Sequence, residues 1–68
     1  MKVENMKDVV LRSPFRPFTV RLSNGAQYKF REPRDFGSPR SLQMIYFFGD
    51  TSVVRIDTEN IVEIIEEE

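Results

Sequence analysis

Three carboxylates near the end of the chain have the spacing closest to that of a catalytic acid–base pair. They are Asp57, Glu59 and Glu63, and general acid–base catalysis needs two such groups in one cleft. The chain has no histidine and no cysteine. It therefore offers no nucleophile with a neighbouring base and no thiolate or imidazole for a metal. We interpret these acids as a solvated turn and expect no enzyme activity, no cofactor and no metal site.

A second set of residues has the chemistry of a nucleic-acid surface, in which cations contact phosphates and aromatic rings stack on bases. Its members are Lys29, Arg31, Arg34 and Arg40, with Phe30 and Phe36 between them. An ordinary exposed strand and loop can have the same composition. Glu32 and Asp35 dilute the positive charge, and the overall pI is 5.4. Nucleic-acid binding is therefore the alternative hypothesis.

The chain is so short that a single small domain must position these residues. At 68 residues, 40% of them hydrophobic, the chain should form one domain over residues 1–68 and bury about 60% of its unfolded surface. No apolar run approaches the roughly 18 residues that cross a membrane, and residues 1–10 are too acidic for a signal peptide. We expect a cytoplasmic domain that is held together by packing and helped by self-association.

The N-terminal segment predicts a short helix over residues 3–12. Val3, Met6 and Val10 have helical spacing, and Ser13-Pro14 ends the pattern, because the residue before a proline avoids helical angles. About three turns of helix are marginal alone. The apolar face formed by Val3, Met6 and Val10 must therefore pack on the rest of the protein.

Two Pro-Phe pairs follow the helix. Pro14 and Pro17 each fix the backbone and remove a donor, so this segment is expected to be extended and not a central strand. It forms a stiff elbow between helix and sheet, with Phe15 and Phe18 anchoring its two sides in the core.

The strongest local pattern is an alternation on both sides of Asn24-Gly25. The apolar positions are Phe18, Val20 and Leu22 before the turn and Ala26, Tyr28 and Phe30 after it. Asn-Gly favours a type I′ turn, in which both central residues have positive φ. The pattern predicts a hairpin with Gly25 in the left-handed region.

Three more strands are predicted beyond a loop over residues 32–40, which contains two prolines and a glycine. Residues 41–50 are apolar on both faces, as in a strand covered on both sides. A tight turn over residues 57–60 separates a fourth strand (51–56) from a fifth (61–65), and the final glutamates are a solvated tail.

The predicted strands contain more apolar residues than the inner face of one small barrel can hold. Ile45 and Phe47, with Ile61 and Ile65, form a second apolar face that either the helix or a partner chain covers. The unpaired edges of the fourth and fifth strands also invite pairing between chains. The interface predicted on these grounds consists of Ile45, Phe47, Val54, Ile56, Ile61 and Ile65.

Charge is distributed unevenly along the chain. Residues 1–40 carry nine Lys/Arg against four Asp/Glu, a net +5, and residues 41–68 carry one against seven, a net −6. The halves attract each other, either side by side within one fold or head to tail between copies.

The order of these elements resembles that of Sm-like domains, including bacterial Hfq. "VRLSNGAQYKF" looks like the first Sm motif and "IDTENIVEI" is similar to the second. The resemblance covers nearly the whole chain in layout. It implies a bent barrel, rings closed by pairing of the last two strands, and a uridine pocket. However, Asp57 stands where the family has an arginine that contacts RNA, and only Asp35 remains of the family's loop residues, so weak or no uridine binding is expected.

"SPFRPFTVRLSNG" also resembles a group of small bacterial proteins built on "RPFxPFxIxLxDG", which implies kinship without a particular activity. Together these patterns predict a mostly β fold, a small five-stranded, strongly bent antiparallel barrel of Sm-like or SH3-like type with one short N-terminal α-helix. The predicted function is a non-catalytic interaction module that forms homo-oligomers through strand edges and is open to a protein partner. The alternative is an RNA-binding Sm-like protein that uses the basic hairpin and loop.

Overall fold

The computed structural model describes residues 2–67 as a mostly β protein with one short helix. The elements, in chain order, are α1 (Val3–Val10), β1 (Phe18–Leu22), β2 (Gln27–Phe30), a 3-10 turn (Pro33–Asp35), β3 (Phe36–Gly37), β4 (Met44–Phe48), β5 (Val53–Asp57), a second 3-10 turn (Thr58–Asn60) and β6 (Ile61–Glu66). The described part of the chain contains no helix long and apolar enough to span a membrane.

The six strands form two antiparallel sheets of three strands each. The first sheet has the order β2-β1-β6 and the second has the order β3-β4-β5. The single five-stranded barrel expected from the sequence is therefore not confirmed. The mostly β character, the antiparallel pairing and the N-terminal helix are confirmed.

The additional strand lies inside residues 32–40, which were predicted as a loop. The carboxylate of Asp35 accepts hydrogen bonds from the backbone N–H groups of Arg31 and Glu32, both at 3.2 Å. This interaction closes the 3-10 turn after β2. The chain then pairs again, with Phe36 opposite Phe47, although β3 is only two residues long.

The predicted hairpin is present, and its inward positions are the predicted ones. Phe18 lies opposite Phe30 and Val20 lies opposite Tyr28. Phe18, Val20 and Phe30 are completely buried, and Tyr28 packs against them from a partly buried position. The period-2 alternation therefore identified the buried face of β1 and β2 correctly.

The turn itself differs from the predicted type I′ turn. Gly25 has φ +89°, as predicted, but Asn24 does not have a positive φ. The N–H of Gly25 donates to Leu22 O at 2.9 Å and the N–H of Leu22 donates to Ala26 O at 2.8 Å. Asn24 Oδ1 accepts from Ala26 N–H at 2.9 Å. These bonds close a three-residue loop that needs only one left-handed residue.

Replacing Gly25 by alanine should lower the free energy of unfolding by about 1 kcal/mol. A Cβ at this position would meet nothing within 4 Å, so the cost comes from the backbone and not from a clash. Gly25→Asn is the control and should cost less, because asparagine tolerates positive φ. Urea denaturation followed by circular dichroism measures both. An unchanged midpoint for Gly25→Ala would show that the turn has another conformation in solution.

Four phenylalanines, which we call the phenylalanine cluster, join the two sheets. Phe18 and Phe30 stack across β1 and β2 with ring centroids 4.8 Å apart. Phe36 and Phe47, which are partners across β3 and β4, meet the Phe30 ring edge-on at 5.8 and 5.3 Å. The cluster packs the inner face of one sheet on the inner face of the other, so it forms the centre of the core.

The helix closes one end of this core. α1 ends two residues before the predicted position and buries Met6 and Val9. Val3 and Val10 pack beside them and are only partly buried. The apolar face was thus predicted in the right region, but Val9 was missed as its second deeply buried residue.

The Pro-Phe elbow connects the helix to β1 in the expected way. Phe15 is partly buried, and its ring centroid lies 6.0 Å from that of Phe18. Pro17 accepts a hydrogen bond from Glu67 N–H at 3.0 Å, so the elbow also contacts the end of β6. The Ser13-Pro14 peptide bond is cis.

β4 has two apolar faces, and the structure shows which one is the core. Ile45 is completely buried and Phe47 belongs to the phenylalanine cluster. Met44, Tyr46 and Phe48 point to the outer face, where the Tyr46 and Phe48 rings lie 6.4 Å apart and 15° from parallel. Ile45 and Phe47, which were predicted to form a second apolar face covered by the helix or by a partner chain, therefore belong to the core between the two sheets.

The chain turns before β4 at Leu42. The side chain of Leu42 is buried, and its backbone has a positive φ of +55°. This conformation is unfavourable for leucine, and Thr58 holds it in place. The Thr58 hydroxyl donates to Leu42 O at 2.5 Å and the Thr58 N–H donates to Gln43 O at 3.0 Å. Thr58 is buried, so these bonds satisfy its polar groups and fix the start of β4 next to the end of β5.

Candidate functional site

The carboxylates considered for acid–base chemistry do not form one cluster. Asp57 and Glu59 line a shallow groove beside Val3 and Met44. Glu63 lies on β6 and accepts a hydrogen bond from Arg21 Nε at 2.8 Å. Among residues 2–67, no group of three acidic, histidine or cysteine side chains is arranged to hold a metal ion.

The four predicted nucleic-acid-binding cations are only partly brought together. Lys29 and Arg31 line one groove of about 390 Å³ with Tyr28 and Phe47. The same groove contains the carboxylates of Asp35 and Asp50, and Lys29 Nζ lies 2.5 Å from Glu67 Oε1. Cations that contact acids inside the chain attract phosphates less strongly.

The other two cations lie elsewhere. Arg34 is almost fully exposed and pairs with Glu32 at 2.6 Å, and Arg40 lines a different groove, against α1. The two phenylalanines of the basic segment belong to the phenylalanine cluster, where Phe30 is completely buried. Both rings pack against other rings of that cluster, and Phe36 is the one that stays partly exposed, where it lines the groove against α1.

The residues predicted as an interface divide into three groups. Ile45, Ile56 and Ile61 are buried in the core of the single chain, which corrects their assignment to a second apolar face. Phe47 and Val54 are partly buried and pack on that core. Ile65 is 45% exposed, on the outer face of the first sheet opposite Thr19. It is thus the one member of the six that presents much of its side chain to the surface.

β5 and β6 are each an outer strand of their sheet, as are β2 and β3 at the opposite edges. β5 pairs with β4 and β6 pairs with β1, and within residues 2–67 neither has a second neighbour. The 3-10 turn of three residues between them carries the chain from one sheet to the other. Each strand therefore leaves a row of backbone donors and acceptors available for pairing.

Exposed apolar side chains concentrate at these two edges. Five large hydrophobic side chains are exposed among residues 2–67: Leu11, Phe48, Val53, Val62 and Ile65. Val53 belongs to β5, Val62 and Ile65 belong to β6, and Phe48 is the cross-strand partner of Val53. Four of the five thus lie on or beside an open edge.

Sequence reasoning missed Val53 and Val62. Val53 and Val54 are adjacent and equally apolar, so alternation alone does not show which one faces outward. Val62 lies where the pairing of β1 and β6 shifts register between Arg21 and Leu22. An irregularity of this kind leaves one residue outside the regular pairing, and no residue type in this segment marks it.

The uneven charge of the chain is partly balanced inside the fold. Three ion pairs connect cations of residues 1–40 with acids of residues 41–68, namely Arg12 with Glu66, Arg21 with Glu63 and Lys29 with Glu67. All six side chains are substantially exposed, so each pair stabilises the fold by about 1 kcal/mol or less. The side-by-side arrangement of the two halves is therefore observed, and it uses charges that a head-to-tail contact would need.

Comparison with protein-family models, with curated proteins and with solved structures gave no match for this chain.

Proposed function

We propose that this protein is a non-catalytic interaction module that assembles with copies of itself by pairing β5 of one copy with β6 of the next. The observation that carries the proposal is the coincidence of two features on the same strands. Both strands have a free hydrogen-bonding edge, and both carry exposed apolar side chains. Pairing would satisfy the backbone groups and place Val53, Val62 and Ile65 beside side chains of the next copy, which removes part of their apolar surface from water.

The order of the strands supports an Sm-like or SH3-like layout for this module. β2, the 3-10 turn at Pro33–Asp35 and β3 occupy successive positions in the chain. Together they correspond to the single, strongly bent second strand of such a layout. The first sheet then contains the last strand, the first strand and the first half of the second strand (β2), and the second sheet contains its other half (β3) with the third and fourth strands. In this layout β5 and β6 correspond to the two strands whose edges meet between neighbouring subunits.

Light scattering after gel filtration, at high micromolar protein and at low and high salt, tests the proposal. We expect a mass that is a multiple of 8.0 kDa at both salt concentrations, because apolar burial and backbone pairing are not screened by ions. Association at low salt alone would indicate charge-driven contacts instead. A monomer under both conditions would contradict the proposal.

The RNA-binding alternative depends on a smaller set of residues than the sequence suggested, because only Lys29 and Arg31 share a groove. Asp57, at the position of the Sm-like arginine, is exposed, and its Oδ1 lies 3.8 Å from Arg55 Nε. A carboxylate there repels phosphate. We therefore expect oligo-uridine to bind more weakly than micromolar at physiological salt.

Fluorescence anisotropy with labelled oligo-uridine, at two salt concentrations, measures this binding. Labelled oligo-adenine is the matched control for binding that does not depend on the base. Micromolar or tighter affinity for oligo-uridine, decreasing steeply as salt increases, would refute the expectation and favour the RNA-binding function.

A further inference from the structure

Leu11 is the exposed apolar side chain that the open edges do not explain. It follows the last residue of α1 and is 73% exposed, more than any of the four at or beside an edge. It lies at a groove of about 290 Å³ between α1 and the segment that leads into β4, which we call the α1 groove. This volume is at the lower end of the range for ligand sites, so the groove suits an apolar side chain better than a large ligand.

The walls of the α1 groove are apolar and come from two different parts of the fold. α1 and its C-terminal end contribute Val10 and Leu11, and the opposite wall consists of Phe36, Pro39 and Leu42. Phe36 and Leu42 are held firmly, because Phe36 packs edge-on against Phe30 and Leu42 is bonded through its carbonyl to Thr58. One wall of the groove is therefore preorganised.

Two cations flank the apolar walls, Lys7 from the helix and Arg40 from the opposite side. Among residues 2–67 neither one forms an ion pair, and no carboxylate lines the groove. Three other grooves on the surface each contain at least two carboxylates. The α1 groove is thus the one of the four whose charge is purely positive.

We propose that the α1 groove binds an acidic peptide segment of a partner protein, with one large apolar side chain between the walls and flanking carboxylates near Lys7 and Arg40. The apolar walls favour binding of the large apolar side chain of the peptide. The two cations on opposite walls favour carboxylates on both sides of that side chain. A nucleic acid fits less well, because the walls are mainly aliphatic and the Phe36 ring is already packed against other rings. This proposal does not depend on strand-edge assembly.

Titration of the isotope-labelled protein with short synthetic peptides, followed by amide chemical shifts in NMR spectra, tests the proposal. The probes are three peptides with a central leucine, isoleucine or phenylalanine between glutamates. One control peptide has serine at the centre, and the other has lysines in place of the glutamates. We expect shifts centred on residues 7–11 and 36–42 with at least one acidic apolar probe, and weaker binding at high salt.

Two variants locate the site without disturbing the core. Leu11→Ser removes an exposed side chain and should weaken binding about tenfold, and Lys7→Gln combined with Arg40→Gln should weaken it by a similar factor. Arg16→Gln is the matched control, since Arg16 is an exposed cation outside the groove. It should leave the affinity unchanged.

Several outcomes would overturn the proposal. One is the absence of binding by all three acidic apolar probes at low salt. Equal binding of the serine peptide would show attraction to charge alone, and shifts centred on β5 or β6 would place the contact elsewhere. None of these outcomes bears on the mass measured by light scattering, so failure of this proposal is distinguishable from failure of self-association.

Discussion

Replacing Phe30 by alanine should lower the free energy of unfolding by about 3–5 kcal/mol. Phe30 is completely buried and contacts the other three rings of the phenylalanine cluster. Its removal leaves a cavity at the place where the two sheets meet. Natural domains have a stability of about 0.05–0.15 kcal/mol per residue, which is about 3–10 kcal/mol for a 68-residue chain, so this loss removes about a third or more of it.

Phe48→Ala is the matched control for this prediction. It removes the same ring from the outer face of β4, where Phe48 is 42% exposed, and should cost about 1 kcal/mol. Urea denaturation followed by circular dichroism compares the two variants, and a Phe30→Ala protein that is unfolded in buffer agrees with the prediction. Equal losses of stability in the two variants would show that the phenylalanine cluster is not the centre of the core.

Charged residues at the two open edges should dissociate the assembly into monomers. Val53→Asp and Ile65→Asp each place a negative charge on an exposed position of an edge strand, and antiparallel pairing of β5 with β6 would bring these like charges together. Loss of one apolar contact of about 1.5–3 kcal/mol raises the dissociation constant by about ten- to a hundredfold. The double variant should therefore have the mass of a monomer, 8.0 kDa, at concentrations where the unmodified protein is assembled.

Leu11→Asp is the control for the edge variants. It introduces the same kind of charge at an exposed apolar residue that lies outside both edges, and the assembly should persist. Because the substituted side chains are exposed, the fold of each variant should be retained within about 0.5 kcal/mol. Assembly that survives the double edge variant, or is lost equally in Leu11→Asp, would argue against pairing of β5 with β6.

Local patterns in the sequence were sufficient where one face of a strand is apolar and the other polar. In β1, Val20 and Arg21 differ so much in hydropathy that only one orientation is stable, and the buried face followed directly. The positive φ of Gly25 was likewise accessible from its residue type. The turn type was not, because the Asn24 side chain bonds to Ala26 N–H and stabilises a three-residue loop.

Patterns failed where tertiary packing chooses between equal alternatives. Both faces of β4 are apolar, and the choice of Ile45 as a core residue depends on the register between β4 and β5, which places it opposite Ile56. The burial of Leu42 in a left-handed conformation depends on the distant Thr58. The short strand β3 exists only because Phe36 meets Phe47. Each of these features needs a partner that is remote in the chain.

The sequence predicted which two strands form the candidate site, but it predicted only some of the side chains exposed there. The last two strands were proposed as pairing edges because Sm-like rings close by pairing them and because the apolar residues exceed one face, and the observed sheets have open edges there. The side chains proposed for those edges were chosen by hydropathy. Ile56 and Ile61 proved to be core residues, since hydropathy does not separate a core position from an exposed apolar one.

Isotope-filtered NMR of a mixture of labelled and unlabelled protein shows whether β5 of one copy pairs with β6 of another. We expect intermolecular nuclear Overhauser effects between residues 53–57 of the labelled copy and residues 61–66 of the unlabelled copy, because paired strands lie about 5 Å apart. Intermolecular effects confined to other surfaces, or a monomer without any at high micromolar concentration, would contradict this pairing.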